Sequence, residues 1–475
     1  MSALGLAMFA IALIAMVASG LPVYAVLLGV SALFTALGVA LGAFDLALLG
    51  ALPNRVVGLL EHDLLQALPL YALIGALLNR LPLAALLHRA GERVFARSAA
   101  ASELSALGVG ALLAPMNGSV GASLHTLSRS VAPELEQRGT SAERSAATVC
   151  VASTLGVVIP PSLVLLLLGD AMMRAHTEAL NATRAALRIV NTQDVMRAAL
   201  VPGLIVLLIA CGIAAWRGRG AAARAFAPLP HRQALIAAVV ALVIAVLLGG
   251  VAVGRLYAVE AAATGGVTLW IAATLSGHLD TQRMRLVLRD TMALTGALFA
   301  LLVAATTFSL VLRAFGTDTL IAHGLHALSD HPRLLLLCVL AGLVACSFVL
   351  DAFEMIFLVI PLVMPPVLMT VDDAAWVAAL TLLVLQLGFL LPPFGYALVM
   401  SRSLLATRVG VRALARALWP QLGAQALLIV AVLAFPQITQ WARPSEAASS
   451  TQDAGEAERL MQEAIKAQQR DAGEH

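Results

Sequence analysis

The sequence predicts an all-α polytopic membrane protein made of two inverted repeats, each with a re-entrant helical hairpin and a proline-broken helix. Three observations lead there. The chain of 475 residues is 60% hydrophobic and only 12% charged, with a mean hydropathy of +0.92; about 25% charge is usual in a soluble domain. Two polar breaks inside apolar segments are each followed by a proline pair inside another apolar segment: Asn117-Gly118-Ser119 by Ile159-Pro160-Pro161-Ser162, and Asp351 with Glu354 by Leu391-Pro392-Pro393-Phe394-Gly395. The spacings match, since Pro160 lies 43 residues beyond Asn117 and Pro392 lies 41 beyond Asp351, while the proline pairs are 232 apart. Paired, interrupted hydrophobic segments in corresponding halves point to a secondary transporter's binding site.

Along the chain, Met1–Gly20 is apolar but lacks a positive n-region, and Leu21–Leu41 continues apolar. It reads as a first spanning helix, not a cleaved signal. Leu107–Leu113 and Val120–Leu127 flank Asn117-Gly118-Ser119 and are each too short to span alone. A re-entrant hairpin with a polar tip has that form: glycine permits the sharp turn, and Asn and Ser supply oxygens. A surface turn between two short helices is the alternative.

Proline removes a backbone donor and frees a carbonyl, so two in succession break a helix. In hydrocarbon the freed groups need partners. Half-helix C-termini and free carbonyls suit a sodium ion, and half-helix N-termini suit a carboxylate. A single pair reads more readily as a kinked helix without ligand or as a loop at the membrane surface; the duplication at matching spacing favours two ligand-site segments.

Ala171–Arg197 mixes Arg174, Glu178, Arg184, Arg188 and Asp194 and reads as a periplasmic insertion. Leu200–Ala215 follows as an uncharged span, then Arg217, Arg219, Arg224 and Arg232 in a link without acids, which marks the cytoplasmic side. Ala234–Val253 and Ala297–Leu312 are further uncharged windows, and Arg283, Arg285, Arg289 and then Arg402, Arg408, Arg412, Arg416 mark two more cytoplasmic links. The first proline pair therefore exits outward and the second inward. Roughly ten to fourteen embedded helical segments fit the chain at about 20 residues per span.

Asp351 and Glu354 sit between Leu334–Leu350 and Met355–Met364, three apart and so on one helical face. Intramembrane acids are costly and line polar paths. They would bind a cation or carry a proton, or else mark a hairpin tip in water. Glu260 reads equally as an interfacial anchor or a functional acid. The division is residues 1–215 as first repeat, 216–441 as second, and 442–475 as a hydrophilic tail in which Ala454–Gln469 suits a short helix.

The four cysteines, Cys150, Cys211, Cys338 and Cys346, lie in apolar stretches without metal spacing and read as inert thiols. The histidines show no ligand spacing. No phosphate-cradling loop or hydrolase motif is present, and the net charge of +3, spread over loops, gives no nucleic-acid signature. A membrane enzyme would need a partner for Asp351, and a channel would need ring-forming filter repeats.

These residues resemble the large membrane subunit of tripartite ATP-independent periplasmic (TRAP) transporters over about residues 1–440. Asn117-Gly118-Ser119, Pro133 and Gly139 stand where the family shows Ser-Gly-Ser, Pro and Gly. Ala152-Ser153-Thr154-Leu155-Gly156-Val157-Val158-Ile159-Pro160-Pro161-Ser162 resembles its Ser-Ser-Thr-x-Gly-x-Ile-Ile-Pro-Pro-Ser. Leu350-Asp351-Ala352-Phe353-Glu354 resembles an Asp-x-x-Glu tip variant, and Gln386 with Phe389-Leu390-Leu391-Pro392-Pro393-Phe394-Gly395 resembles Gln-x-x-Phe-Leu-Thr-Pro-Pro-Phe-Gly. Tyr257–Ala262 resembles Thr-x-x-Glu-Ala-Ala. Leu391 departs from the family Thr and offers no side-chain oxygen.

The resemblance implies an elevator-type transport domain moving against a scaffold, in a multi-pass protein of the bacterial inner membrane. It implies sodium-driven uptake of an organic anion, mostly a carboxylate, with sodium as coupling ion and no organic cofactor. It also implies a small four-helix membrane subunit and a periplasmic substrate-binding protein as partners, besides membrane lipid. A sodium- or proton-coupled transporter of related fold without a binding protein is the alternative. The first sodium site is expected at Asn117, Gly118, Ser119, Ser153, Thr154 and Pro160, and a weaker second one at Asp351, Glu354, Leu391, Pro392 and Gly395. Ser162, Gln386 and Phe394 are the expected substrate residues.

Overall fold

The computed structural model describes residues 2–44, 50–60, 66–183, 188–219, 228–326, 331–405 and 409–441. The tail at 442–475, with the helix expected at Ala454–Gln469, and Arg184, Arg224 and Arg408 lie outside them.

Every regular element among the described residues is helical. In chain order they are α1 (Ser2–Ser19), α2 (Val23–Ala40), α3 (Leu52–Leu60), α4 (Ala67–Arg80), α5 (Leu83–Val94), α6 (Ala101–Leu113), α7 (Val120–Ser130), α8 (Ala132–Gln137), α9 (Ala142–Val158), α10 (Leu163–Thr183) and α11 (Thr192–Gly218). There follow α12 (His231–Val253), α13 (Ala258–Leu275), α14 (Thr281–Ala314), α15 (Thr317–His326), α16 (Pro332–Cys346), α17 (Ala352–Glu354), α18 (Ile360–Leu368), α19 (Ala374–Leu390), α20 (Tyr396–Leu404), α21 (Val411–Ala434) and α22 (Gln437–Gln440).

Seven helical segments among the described residues are long and apolar enough to cross a membrane, α9 and α10 counting together as one. The pair α4 and α5, bent by 71°, makes a further candidate, and five shorter apolar helices of 10–17 residues accompany them. The chain is thus a polytopic membrane protein. Its α12 and α13 are apolar around their circumference and present Leu235, Val239, Leu242, Val246 and Trp270 outward, which is stable only against lipid or another apolar surface.

Three helices form the centre. All of the apolar window across α9 and α10 is buried, and in α19 every residue from Ala374 to Gln386 is buried. They pack on each other. Around them the contacts cross over: α10, which follows the first proline pair, packs on α18, and α20, which follows the second, packs on α7. At the periphery α14 packs on α2 and α4, α13 on α4, and α12 on α5.

The prolines set the boundaries. The residue before a proline is driven out of the α region, and Leu81, Ile159 and Leu391 are all extended where their helices end. Both Pro160-Pro161 and Pro392-Pro393 are cis.

Two boundaries drawn on the sequence fall inside helices. The segment from Ala171 is no loop: α10 continues to Thr183, because Ala, Met, Leu and His176 keep one apolar face against the core. The division at 215/216 falls inside the last turn of α11, which runs on to Gly218.

Candidate functional site

The first polar break is a tight helical hairpin. After α6, a 3-10 turn at Pro115–Asn117 leads to Gly118, whose φ of 75° is left-handed. A side chain there would be strained, which is why glycine stands at the tip. Ser119 then caps α7: its Oγ accepts from Ala122 N at 3.1 Å. Ser123 ties the turn together, donating to Ser119 O at 3.0 Å and accepting from Asn117 Nδ2 at 3.2 Å.

The hairpin turn touches the end of α9 with almost no intervening side chain. A Cβ on Gly156 would lie 2.5 Å from Ala114 O, and one on Gly110 would lie 2.5 Å from Ala152 O. Gly75 on α4 closes the other side, where a Cβ would lie 2.6 Å from Asn117 O. Between the turn, α9 and the start of α10 remains a cavity of about 10 Å³, room for one water-sized sphere. Gly118, Ser119, Ser153 and Ser162 line it, together with the Ala114-Pro115 backbone. Ser153 Oγ donates to Cys150 O at 2.8 Å and Ser162 Oγ accepts from Leu165 N at 3.1 Å, so each hydroxyl oxygen retains a lone pair. An all-oxygen donor set is what hard cations select, and the residues present fit a sodium ion.

Not every expected residue is at this cavity. Thr154 is fully buried but donates to Val151 O at 2.9 Å on its own helix, and neither it nor Pro160 lines the space. Asn117 turns its amide toward Ser123, and its Oδ1 is buried without a hydrogen-bond partner. Ser162, expected with the substrate, lies here instead, beside Ser153.

The second break repeats the device in a charged form. Asp351 caps α17, with Oδ1 accepting from Phe353 N at 2.9 Å and Glu354 N at 3.0 Å. Glu354 Oε2 in turn accepts from Asp351 N at 2.9 Å. This reciprocal pair is a capping box. The two acids therefore do not share a helical face, as their spacing alone would give; Asp351 lies outside the helix and Glu354 folds back to it. A π-helical turn, Met355–Val359, follows. Gly388 on α19 meets the turn from the other side: a Cβ there would overlap the Ser347 hydroxyl.

Beyond α19, Gly395 N donates to Leu391 O at 2.8 Å. A Cβ on Gly395 would lie 2.6 Å from Phe389 O and 2.8 Å from Leu391 O, so this turn closes only with glycine. Phe394 is 64% exposed. Gln386 is fully buried, and its Oε1 accepts from Gln425 Nε2 of α21 at 3.0 Å.

The two halves are in closer register than the sequence motifs give. Ser119 and Asp351, Gly156 and Gly388, Pro160 and Pro392, and the first and last residues of α9 and α19 are all 232 positions apart. The equivalent of Asp351 is Ser119, not Asn117. The glycines at this fixed offset, Gly110 with Gly342 and Gly156 with Gly388, are the signal that would have found it.

One cluster was missed altogether. His88, Glu92 and Glu134 place ligand atoms within 4.8 Å of one another. Arg138 reaches Glu92 at 3.2 Å and Arg89 reaches Glu134 at 3.8 Å, so cations already occupy the acids' outer sides. The cluster ties α5 to α8 as an ion-pair network, and Ser102 Oγ of α6 joins it by donating to Glu92 Oε1 at 2.7 Å.

Residues 10–438 match the family model of the tripartite ATP-independent periplasmic transporter, DctM component. The sialic acid TRAP transporter large permease protein SiaM of Vibrio cholerae is 24% identical over 198 residues, 41% of this chain and 45% of that protein. The C4-dicarboxylate TRAP transporter large permease protein DctM of Pseudomonas aeruginosa is 23% identical over 384 residues, 80% of this chain and 86% of that protein. A putative TRAP transporter large permease protein of Haemophilus influenzae is 22% identical across 82% of this chain and 88% of its own. Among solved structures, the YdaH transporter of Alcanivorax borkumensis shares the fold at a TM-score of 0.51 and 16% identity, covering 82% of this chain and 90% of YdaH. MtrF of Neisseria gonorrhoeae does so at 0.52 and 12%, covering 83% of each.

Proposed function

This chain belongs to the DctM component family of tripartite ATP-independent periplasmic transporters, a family of transport permeases rather than enzymes, and from that premise we propose that it takes up an organic anion, a carboxylate, driven by a sodium gradient across the bacterial inner membrane. A periplasmic binding protein delivers the anion, and a small four-helix membrane subunit completes the complex. Sodium is co-transported cargo here, held first at Ser119, Ser153 and the Ala114-Pro115 backbone, with Ser162 closing the cavity. The second site uses Asp351, Glu354 and the backbone carbonyls at the second proline pair, where Leu391 O keeps one lone pair beside the bond it accepts from Gly395 N.

The observation that carries this reading is the repeated device at a 232-residue offset: an oxygen-capped hairpin turn pressed by a glycine onto a helix that ends at a proline pair. Breaks of this kind present carbonyls to cations and N-termini to anions. The crossed packing of α10 on α18 and α20 on α7 supports two inverted repeats that interlock into one transport unit. That unit moves as an elevator against a scaffold built around α2, α4 and α12–α14.

The test is reconstitution of the three-component complex in vesicles. Uptake should need the binding protein and an inward sodium gradient. Uptake that ignores sodium and follows a proton gradient would remove the sodium reading, and uptake without the binding protein would remove the three-component one.

A further inference from the structure

A second, larger space lies apart from the cavity at Ser119 and Ser153 and shares no lining residue with it. It is a cleft of about 510 Å³ between α10 and the π-helical turn on one side and α3 and α14 on the other. At its inner end are Leu167, one turn into α10, and Ile356, just beyond the Asp351 cap. At its outer end are Glu178 and Arg313. It thus runs from the first turns of α10 and the π-helical turn toward the last turns of α10.

Its charges are arranged unequally. Arg313 is withheld by a two-point pair with Glu178, Nη1 to Oε1 at 2.8 Å and Nη2 to Oε2 at 3.1 Å, and its Nη2 also reaches Pro361 O at 3.2 Å. Arg174 uses only Nε, on Asp170 Oδ2 at 3.0 Å. Arg55 makes no ion pair among the described residues. Among the described residues that line the cleft, three arginines face two carboxylates, a surplus of one positive charge. The remaining wall is mostly apolar, with Leu302, Ala305 and Phe357, broken by the hydroxyls of Thr306 and Ser309 and the amide of Asn54.

We propose that this cleft is a carboxylate-receiving vestibule for the transported anion, with Arg55 and the terminal nitrogens of Arg174 taking a single carboxylate and the apolar wall taking the carbon body. The inference rests on the organic-anion reading above and adds to it a location and a selectivity. A planar guanidinium matches a carboxylate at two points. A second carboxylate on the ligand would meet Asp170 and Glu178, so the cleft prefers ligands with one negative charge over ligands with two. Arg313 is a weaker competitor for the ligand, because Glu178 neutralises its charge and Glu178 with Pro361 O takes three of its five donors; that pair fixes the outer wall between α14 and α10.

The test needs no knowledge of the natural substrate. In the full chain purified with its small subunit, the four native cysteines are replaced by alanine and Ser309→Cys places one thiol in the cleft. Its reaction rate is measured with a methanethiosulfonate bearing a sulfonate and with one bearing a trimethylammonium, each divided by the rate for a free thiol in solution. The sulfonate reagent should be favoured by about tenfold, and Arg55→Gln and Arg174→Gln should each cut that preference several-fold. Butyrate should protect the thiol from the sulfonate reagent better than glutarate does at equal concentration. A normalised ratio near one, insensitive to both arginine variants, would overturn the vestibule. Protection by glutarate equal to or above that by butyrate, or by neither, would overturn the single-carboxylate claim. Uptake by the same complex in vesicles separates the two readings: charge-selective labelling with no sodium-driven uptake counts against the transport proposal alone, and the reverse counts against the vestibule alone.

Discussion

Ser119 and Asp351 hold the same place in the two halves: each caps the second arm of a hairpin through a side-chain oxygen, and each lies 41 residues before the first proline of a broken helix. They differ in charge, and that difference separates capping from ion binding. Asn is as good an N-cap as Asp. Asp351→Asn should therefore keep the thermal midpoint of the purified protein nearly unchanged while weakening the sodium dependence of uptake. Asp351→Ala should lose both, with about 1 kcal/mol of cap energy gone. An Asp351→Asn protein with wild-type sodium dependence would show that the acid serves only the turn.

The glycine contacts give a second prediction. At Gly156 an added methyl meets the Ala114 carbonyl, part of the backbone, whereas at Gly388 it meets only the Ser347 side chain. Gly156→Ala should destabilise by roughly 1–3 kcal/mol, the usual cost of overpacking, and Gly388→Ala by less. Ser347→Gly should rescue Gly388→Ala in a thermal melt, since it removes every atom in the way. Equal losses at the two glycines, without rescue, would show that the turns are free to move apart.

Side-chain placement also ranks the oxygens of the first site. Ser153 lines the small cavity; Thr154 bonds back to its own helix and does not. Ser153→Ala should raise the sodium concentration for half-maximal uptake about ten- to hundredfold, in line with roughly 1–3 kcal/mol for a lost buried polar contact. Thr154→Val should change it little. Leu391→Thr should lower it or steepen the sodium dependence by adding an oxygen beside Pro392. A stronger effect at Thr154 than at Ser153 would place the ion on the other face of α9.

Orientation is tested at the end of α10. Asn181 is exposed there, and the arginine-rich links that follow in the sequence predict that this end is outside. Asn181→Cys, in a background without other cysteines, should react with a membrane-impermeant thiol reagent in intact cells. Labelling only after lysis would invert the topology.

Much of this was legible in the sequence because it depends on local chemistry. Prolines break helices wherever they fall inside them, so Pro160-Pro161 and Pro392-Pro393 located both breaks, and composition settled the solvent. What could not be read depends on backbone position or on distant contacts. Asn117 and Asp351 look equivalent by residue type, but only the path through Pro115–Asn117 and Gly118 shows that Ser119 is the cap. Glu354 looks like a neighbour of Asp351 on one helical face, whereas the helix starts between them. Ala171–Thr183 looks like a loop because it is polar on one side, yet its other side packs on the core. The cleft joins Arg55, Arg174 and Arg313, residues far apart in the chain, and no local pattern brings those together.

The most direct test of sodium coupling is to follow radioactive sodium and the labelled organic anion together in vesicles holding the three-component complex. With no preset sodium gradient, an inward anion gradient in the presence of the binding protein should drive sodium inward in step with the anion. That sodium flux should collapse in Ser153→Ala. Anion uptake at a normal rate with no accompanying sodium entry would contradict the account.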